Sequence, residues 1–278
     1  MISRLILAAS VLFFLFSLAP IKTSSQANNK SARKFDEFGD ILMTDIKARA
    51  DNFAVQLQNE PTAKGFIVVY RSRRDLPGIS YRYANRMRDY ILNTSGVADE
   101  RLVALDGGEA DCLRQELWIV PPGTTITPRA DAYQRHFEET NYAQKFDEVF
   151  WGGEDYPTGI WEGDLEAYAA RLRAQPRAIA HVIVYAQFDV ERQSYEEDGK
   201  QKSSVQLYRD PPGTARKVLR QAQRLLTRRF HLSPNRIQLV DGGYRRSGAV
   251  ELWIVPRGEH APIPTPNSFP RIRTLKKT

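Results

Sequence analysis

Apolar positions along the chain switch between a period of two and a period near 3.6, and the switching happens twice. Phe35 and Phe38 bracket a short strand. Ile46, Ala50, Phe53, Ala54 and Leu57 then recur at helical spacing over Ile46 to Asn59, with Thr44 or Asp45 as the expected cap and Pro61 as the stop. Gly65 to Tyr70 is a nearly continuous β-branched run, which predicts a buried strand. A second helix is expected from Ser80 to Thr94, with Tyr83, Met87, Tyr90 and Ile91 facing inward and Gly96 ending it. Arg101 to Leu105 and Gln115 to Val120 read as strands. Asp106-Gly107-Gly108 is expected to open a loop between them, and Pro121-Pro122-Gly123 closes the unit.

The order then repeats. Glu116-Leu117-Trp118-Ile119-Val120-Pro121 recurs letter for letter at Glu251 to Pro256, and Asp106-Gly107-Gly108 recurs at Asp241-Gly242-Gly243, both 135 positions on. Phe53 to Tyr70 aligns without gaps on Tyr168 to Tyr185, with Ala54/Ala169, Leu57/Leu172, Pro61/Pro176, Ala63/Ala178, Val69/Val184 and Tyr70/Tyr185 identical. Leu219, Ala222, Leu225 and Leu226 form the stripe of a later helix, and Ile237 to Val240 and Val250 to Val255 are the last strands. A duplicated unit of strand, helix, strand, helix, strand, strand predicts an α/β (α+β sandwich) chain, each half a small mixed sheet with helices on one face. The expected boundaries are a tether at 28–33, repeat one at 34–128, a linker helix at 129–144, repeat two at 145–266 and a basic tail at 267–278. Repeat two carries two enlargements. Phe150 to Gly163 adds Trp151, Tyr156 and Trp161 among glycines. Phe188 to Arg209 reads as a β-hairpin arm turning at Glu197-Asp198-Gly199-Lys200. From Pro262 the chain is Pro-rich, then basic at Arg271, Arg273, Lys276 and Lys277, and is expected to be disordered.

The 278 residues are 42% hydrophobic and 26% charged, as in a globular protein, and the net charge of +7 favours an anionic neighbour: cell-wall polymer, lipid head group or nucleic acid. Met1 to Ala27 narrows the choice. Arg4, the apolar run Leu5 to Ala19 and the small-x-small site Ser25-Gln26-Ala27 have the anatomy of a secretory signal, to be weighed against an uncleaved anchor. Export across the inner membrane, to the periplasm, disfavours nucleic acid as a partner. Cys112 is the single cysteine, so no intrachain disulfide supports the fold. After signal cleavage no apolar run remains that is long enough to span a membrane.

With Phe35-x-x-Phe38, Leu57, Phe66 to Tyr70, Gly78-Ile79-Ser80-x-x-x-Ala84, Asp89-Tyr90-Ile91 and Gly96-Val97-x-x-x-Arg101-Leu102, this order resembles the OmpA C-terminal-like family of envelope domains. The resemblance covers about Lys34 to Pro128 and Lys145 to Pro266. It implies peptidoglycan binding, in which an Asp after the second strand and an Arg in the following helix hold the zwitterionic end of a stem peptide. In repeat one the Asp position falls on about Arg74, beside Asp75, and the Arg position on Tyr83, near Arg82 and Arg86. In repeat two Asp189 matches the Asp position, and the Arg position falls on Val218, flanked by Arg216, Lys217 and Arg220. Neither repeat keeps the pair.

Other constellations leave two readings open. Arg216, Arg220, Arg224 and Arg228 lie four apart and predict one cationic helix face, either an anion stripe or a solvated surface. Arg71, Arg73 and Arg74 follow the central strand of repeat one, where loops usually meet ligands. Trp151, Tyr156 and Trp161 either stack on sugar rings or plug their loop onto the fold. Trp118 and Trp253 are expected to be packing residues. His136, His181, His231 and His260 show no metal-ligand spacing, and no G-x-S-x-G marks a nucleophile. The expected protein is therefore non-enzymatic, without metal or cofactor, and contacts peptidoglycan or another anionic envelope component, or envelope proteins. The candidate contacts are Arg71, Arg73, Arg74, Asp75, Arg82, Asp189, Arg216, Lys217 and Arg220.

Overall fold

The computed structural model describes residues 31–127, 129, 132, 141–151, 159–197 and 200–268. The expected signal sequence, most of the linker helix, Tyr156, the arm turn at 198–199 and the tail beyond Ser268 lie outside the described residues.

In the first half, β1 (Arg33–Phe38), α1 (Met43–Asn59), β2 (Lys64–Ser72), α2 (Ile79–Ser95), β3 (Leu102–Ala110) and β4 (Arg114–Val120) follow in that order. The sheet runs β1-β4-β2-β3, with β2 and β3 parallel and the other pairs antiparallel. The second half has β5 (Gln144–Trp151), α3 (Glu162–Ala174), β6 (Ile179–Glu197), β7 (Lys200–Arg209), α4 (Thr214–Arg224), β8 (Ile237–Arg245) and β9 (Gly248–Val255). Its sheet repeats the pattern as β5-β9-β6-β8, with β6 and β8 parallel. The fold is thus mixed α/β, with two sheets and four α-helices among the described residues. Gln144, assigned to the linker, is the first residue of β5.

Alternation along each strand sends one set of side chains to the helices and the other to the opposite face. Ile67, Val69, Leu117 and Ile119 pack under α1 and α2 with Phe53, Leu57, Met87 and Ile91. Val182, Val184, Leu252 and Ile254 pack under α3 and α4 with Tyr168, Leu172, Leu219 and Leu226. A duplicated arginine ties helix to strand. Arg101 donates to the carbonyls of Leu57, Glu60 and Ala63 past the end of α1, and Arg236 donates to those of Leu172, Gln175 and Ala178 past α3. Leu57 and Leu172 lie in the last turns of α1 and α3, so each guanidinium adds a donor to a helix end and ties it to the turn that follows.

Four expectations change. α1 begins at Met43 on Leu42, whose carbonyl accepts from the Asp45 and Ile46 amides, so neither Thr44 nor Asp45 caps it. Asp45 lies instead in the first turn, where the helix dipole favours a carboxylate. Asp106-Gly107-Gly108 does not open a loop. β3 runs through it with one residue bulged, since Val69 pairs with Asp106 and Tyr70 with Gly108. A Cβ on Gly107 would sit 2.5 Å from the Tyr70 ring, Gly108 has φ 95°, and Asp106 Oδ1 accepts from the Gly108 amide at 2.9 Å. Gly242, Gly243 and Asp241 repeat the bulge against Tyr185. Side-chain clash and positive φ each demand glycine, which explains the repeated triplet.

The third change is in α4, which passes into a π-helical turn at Leu225–Arg229. A turn closed five residues apart advances each residue by less angle than an α-helix, so Arg228 leaves the line of Arg216, Arg220 and Arg224. Finally, the tail is ordered to Ser268. The Thr265 amide donates to the Tyr185 hydroxyl, the Asn267 amide to the Tyr244 carbonyl, and Arg245 to the Thr265 carbonyl. Prolines hold this segment extended, so little chain entropy opposes laying it on β8.

Candidate functional site

The loop after each central strand is fixed by one aspartate. Asp75 Oδ2 accepts the Ser72 amide at 2.8 Å, and Asp210 Oδ2 accepts the Gln187 amide at 2.7 Å. In return the Asp75 amide donates to Ser72 and the Asp210 amide to Gln187, each at 3.0 Å. Equivalent residues lie 115 apart before this point (Tyr70/Tyr185) and 135 apart after it (Asp106/Asp241), so 20 residues are added here. The arm therefore replaces Arg73 and Arg74, and Asp210 occupies the place of Asp75. Asp189 lies inside the arm, opposite Tyr208, with its carboxylate on the Val190 amide. Asp189 is the first aspartate after the strand in sequence, but the one that holds the loop is Asp210, beyond the arm.

In the first half the cations around this loop are mostly held. Arg71 is buried and donates to Glu109 at 2.9 Å, with Asp106 3.7 Å away. Ser80 donates to the same Asp106, beside Tyr81, whose hydroxyl pKa is raised by burial and by that carboxylate. Arg82 forks onto Asp147 of β5 at 2.8 and 3.3 Å, and Arg86 forks onto Asp164 of α3 at 2.9 and 3.4 Å. Asp147 and Asp164 are almost wholly buried there. The Gly78 amide donates to the Phe146 carbonyl at 2.8 Å, and Asn85 donates to the Gly163 carbonyl. A Cβ on Gly78 would lie 2.6 Å from that of Asp147, so only glycine permits this approach. Together these contacts bind the first half's α2 to the second half's β5 and α3. Burial pushes the nearby Asp89 carboxyl up to about 6; Arg88 pulls against this, while Asp164, Glu166 and Glu162 add to it. Arg73 and Arg74 remain exposed on the turn, with no ion pair among the described residues.

In the second half the corresponding helix face is open. Gly213, Lys217 and Arg220 stand where Gly78, Arg82 and Asn85 stand in the first. Pro211, Pro212, Gly213 and Thr214 form the wall of an open groove of 540 Å³, with Arg216, Lys217 and Arg220 as its cationic side. All three cations are exposed and make no ion pair among the described residues. Three of the nine expected contacts are thus brought together at the start of α4, where helix amides add their own positive end. Asp210, just ahead of the groove, is nine-tenths buried and also accepts Trp151 Nε1 at 3.1 Å. Trp151 is therefore a packing residue, whereas Trp161 is half exposed at the start of α3.

The repeated Glu-Leu-Trp-Ile-Val-Pro strand places a buried carboxylate on the helix-free face. Glu116 accepts Lys34 Nζ at 2.7 Å, Trp118 Nε1 at 2.9 Å and the Tyr70 hydroxyl at 3.3 Å. Glu251 accepts Lys145 at 2.8 Å, Trp253 at 3.0 Å, Tyr185 at 3.4 Å and additionally Arg245 at 2.9 Å. Burial would raise the Glu251 pKa, but the bonds from Lys145, Trp253 and Arg245 outweigh it and leave the carboxyl below its usual range. Burial likewise opposes the charge of Lys145, and the bonds and charges of Glu251 and Glu148 together outweigh it and raise the ammonium pKa. Each lysine also lies over its tryptophan ring. The sequence marked these glutamates by their identity in the two copies; their role needed the register.

Among the described residues no group of three or more His, Cys, Asp or Glu is placed to hold a metal ion, and no helix is long and apolar enough to cross a membrane. No protein-family model matches the chain, and no curated protein matches it either.

Proposed function

We propose that the chain is a non-enzymatic, exported cell-envelope protein that binds or scaffolds at the cell wall. On this reading it consists of two diverged OmpA-like halves, and the second makes the contact with peptidoglycan or another anionic envelope component. The carrying observation is the groove of Pro211 to Arg220, where three cations converge without ion partners among the described residues. Arg82 and Arg86 at the related face of the first half are neutralised by Asp147 and Asp164. Guanidinium and ammonium groups without ion partners among the described residues, on a firm helix, suit carboxylates such as those of stem peptides, to which Arg donates in a fork. The strand order shared by the two sheets supports the two-half part of this reading. Co-sedimentation with purified sacculi tests the proposal. The wild-type protein is expected to pellet, less so as salt rises, and the R216A/K217A/R220A variant to stay in solution. Equal behaviour of the two proteins would end it.

The arm favours a second reading, contact with an envelope protein. β6 and β7 pair from Phe188/Arg209 to Glu197/Lys200, and Tyr195, Val205 and Leu207 are half exposed on this ribbon. Two strands with bare apolar side chains gain from a covering partner. Loss of a co-purifying envelope protein on deletion of Asp189 to Arg209, with sacculus binding intact, would select this reading.

A further inference from the structure

One buried group has no role in either surface. Gln115 of β4 is fully buried and lies on the helix-facing side, in step with Leu117 and Ile119. Neither its Nε2 nor its Oε1 has a hydrogen-bond partner among the described residues. In the other half the same place belongs to Val250, which is fully buried in an apolar cluster. The first half has thus put an amide where the fold accepts a valine. A buried amide left unpaired on both atoms is among the more costly features a core can carry, and in natural proteins it calls for an explanation.

Gln115 lines a cavity of 70 Å³ between α1 and α2. Met43, Ile46, Ala50, Tyr83, Met87 and Tyr90 form most of its wall. Arg82 and Arg86 also border it, but their guanidinium heads are drawn away to Asp147 and Asp164, leaving their aliphatic stems toward the space. Lys47 borders it as well. The space is therefore lined mainly by apolar, thioether and ring groups, with the donor and acceptor of Gln115 side by side. Several waters would fit, at about 10–15 Å³ each. Only those touching Gln115 would find good partners, because a water needs two to four polar neighbours.

We infer that this cavity binds a small apolar molecule carrying an amide-type edge, a donor beside an acceptor, which pairs with the Gln115 carboxamide. The apolar body lies against Met43, Met87 and the two tyrosines. Such a ligand satisfies both orphan atoms at once, whereas a molecule with an acceptor alone leaves Oε1 unpaired.

δ-Valerolactam, which presents both groups, and cyclohexanone, which presents only the acceptor, separate these cases. Both are titrated into the protein while the methyl signals of Met43 and Met87 and the Gln115 amide signals are followed by NMR. The lactam is expected to shift all of them saturably, with cyclohexanone about tenfold weaker, as the loss of one good hydrogen bond implies. Gln115→Leu and Gln115→Val are expected to abolish the lactam response and to raise the melting temperature, because they remove an unpaired amide. Methyl signals that do not move with either probe would show a merely hydrated cavity and overturn the inference. So would equal responses to the two probes, a lactam response that survives in both variants, or a lower melting temperature in both.

Discussion

The faces of α2 and α4 hold matching places in the two halves and do opposite things. α2 brings Arg82 and Arg86 against Asp147 and Asp164, and Gly78 admits the backbone of β5 to van der Waals distance. α4 brings Lys217 to the place of Arg82 and Arg220 to that of Asn85, leaves both in solvent, and has Gln221 where Arg86 stands. On the proposed reading, the difference frees one of two related surfaces for binding. One copy of a cationic face is consumed in joining the halves, and the other has no counter-ion among the described residues. The groups that would dock on α4 in a head-to-tail copy have also changed. Arg49 stands where Asp164 stands, and it holds Asp36, the counterpart of Asp147. A further copy of the first half would thus present a cation to a cation.

The largest test of this contrast is to remove the same charge from both faces. Arg82→Ala strands the almost wholly buried Asp147, and breaking a buried pair from one side costs about 3–5 kcal/mol. Lys217→Ala removes an exposed ammonium with no ion pair among the described residues and is expected to change stability by less than about 0.5 kcal/mol. Urea unfolding of the two variants measures both. Comparable losses would mean that α4 is covered as α2 is.

The helix-free faces give a smaller contrast. Glu251→Gln is expected to cost about 2 kcal/mol, in the range of hydrogen bonds to charged groups, and more than Glu116→Gln. Glu251 directly holds Lys145 and Arg245, whereas Glu116 directly holds Lys34 and has Arg129 only at 3.5 Å. The Glu251 pKa is lower folded than unfolded, so its stabilisation is present above the unfolded value of about 4.3 and lost as pH falls through the folded one. Thermal melts below pH 5 should show a shallower acid loss in Glu251→Gln. An unchanged acid limb would remove Glu251 from the account.

The smallest expected effect is at the join between the halves. Asp89 has a folded pKa of about 6, above its unfolded value, so its contribution is present below about 4 and is lost as pH rises through 6. Asp89→Asn should therefore raise the melting temperature at pH 7.5 and leave it unchanged at pH 3.5. A rise of equal size at both pH values would show that the gain does not come from the carboxylate charge.

Much of the architecture was legible in the periodicity. Ile46 to Asn59, Gly65 to Tyr70 and the ungapped match of Phe53 to Tyr70 on Tyr168 to Tyr185 lie within α1, β2 and the α3–β6 unit. These segments are packed on the side that carries the pattern, so local signals and tertiary contacts agree. The bulge was misread because Asp-Gly-Gly has the same composition in a turn and in a strand; only the ring of Tyr70, 36 residues earlier, distinguishes them. The site was less legible. Arg216, Lys217 and Arg220 were found by their charge, but Arg71 and Arg82 carry the same charge and are spent on Glu109 and Asp147, far along the chain. Asp210 was hidden by the arm. Pairing partners distant in sequence decide which cations are free, and no local pattern reports them.

Mapping a stem-peptide ligand on the assigned NMR spectrum tests the central claim most directly. A soluble diaminopimelate-containing tripeptide is titrated into the protein and amide shifts are followed in both halves. Saturable shifts confined to residues 211–220 and their neighbours, lost in R216A/K217A/R220A, are the predicted result. Shifts centred on residues 78–86, or none in either half, would contradict the assignment of the open α4 groove as the binding face.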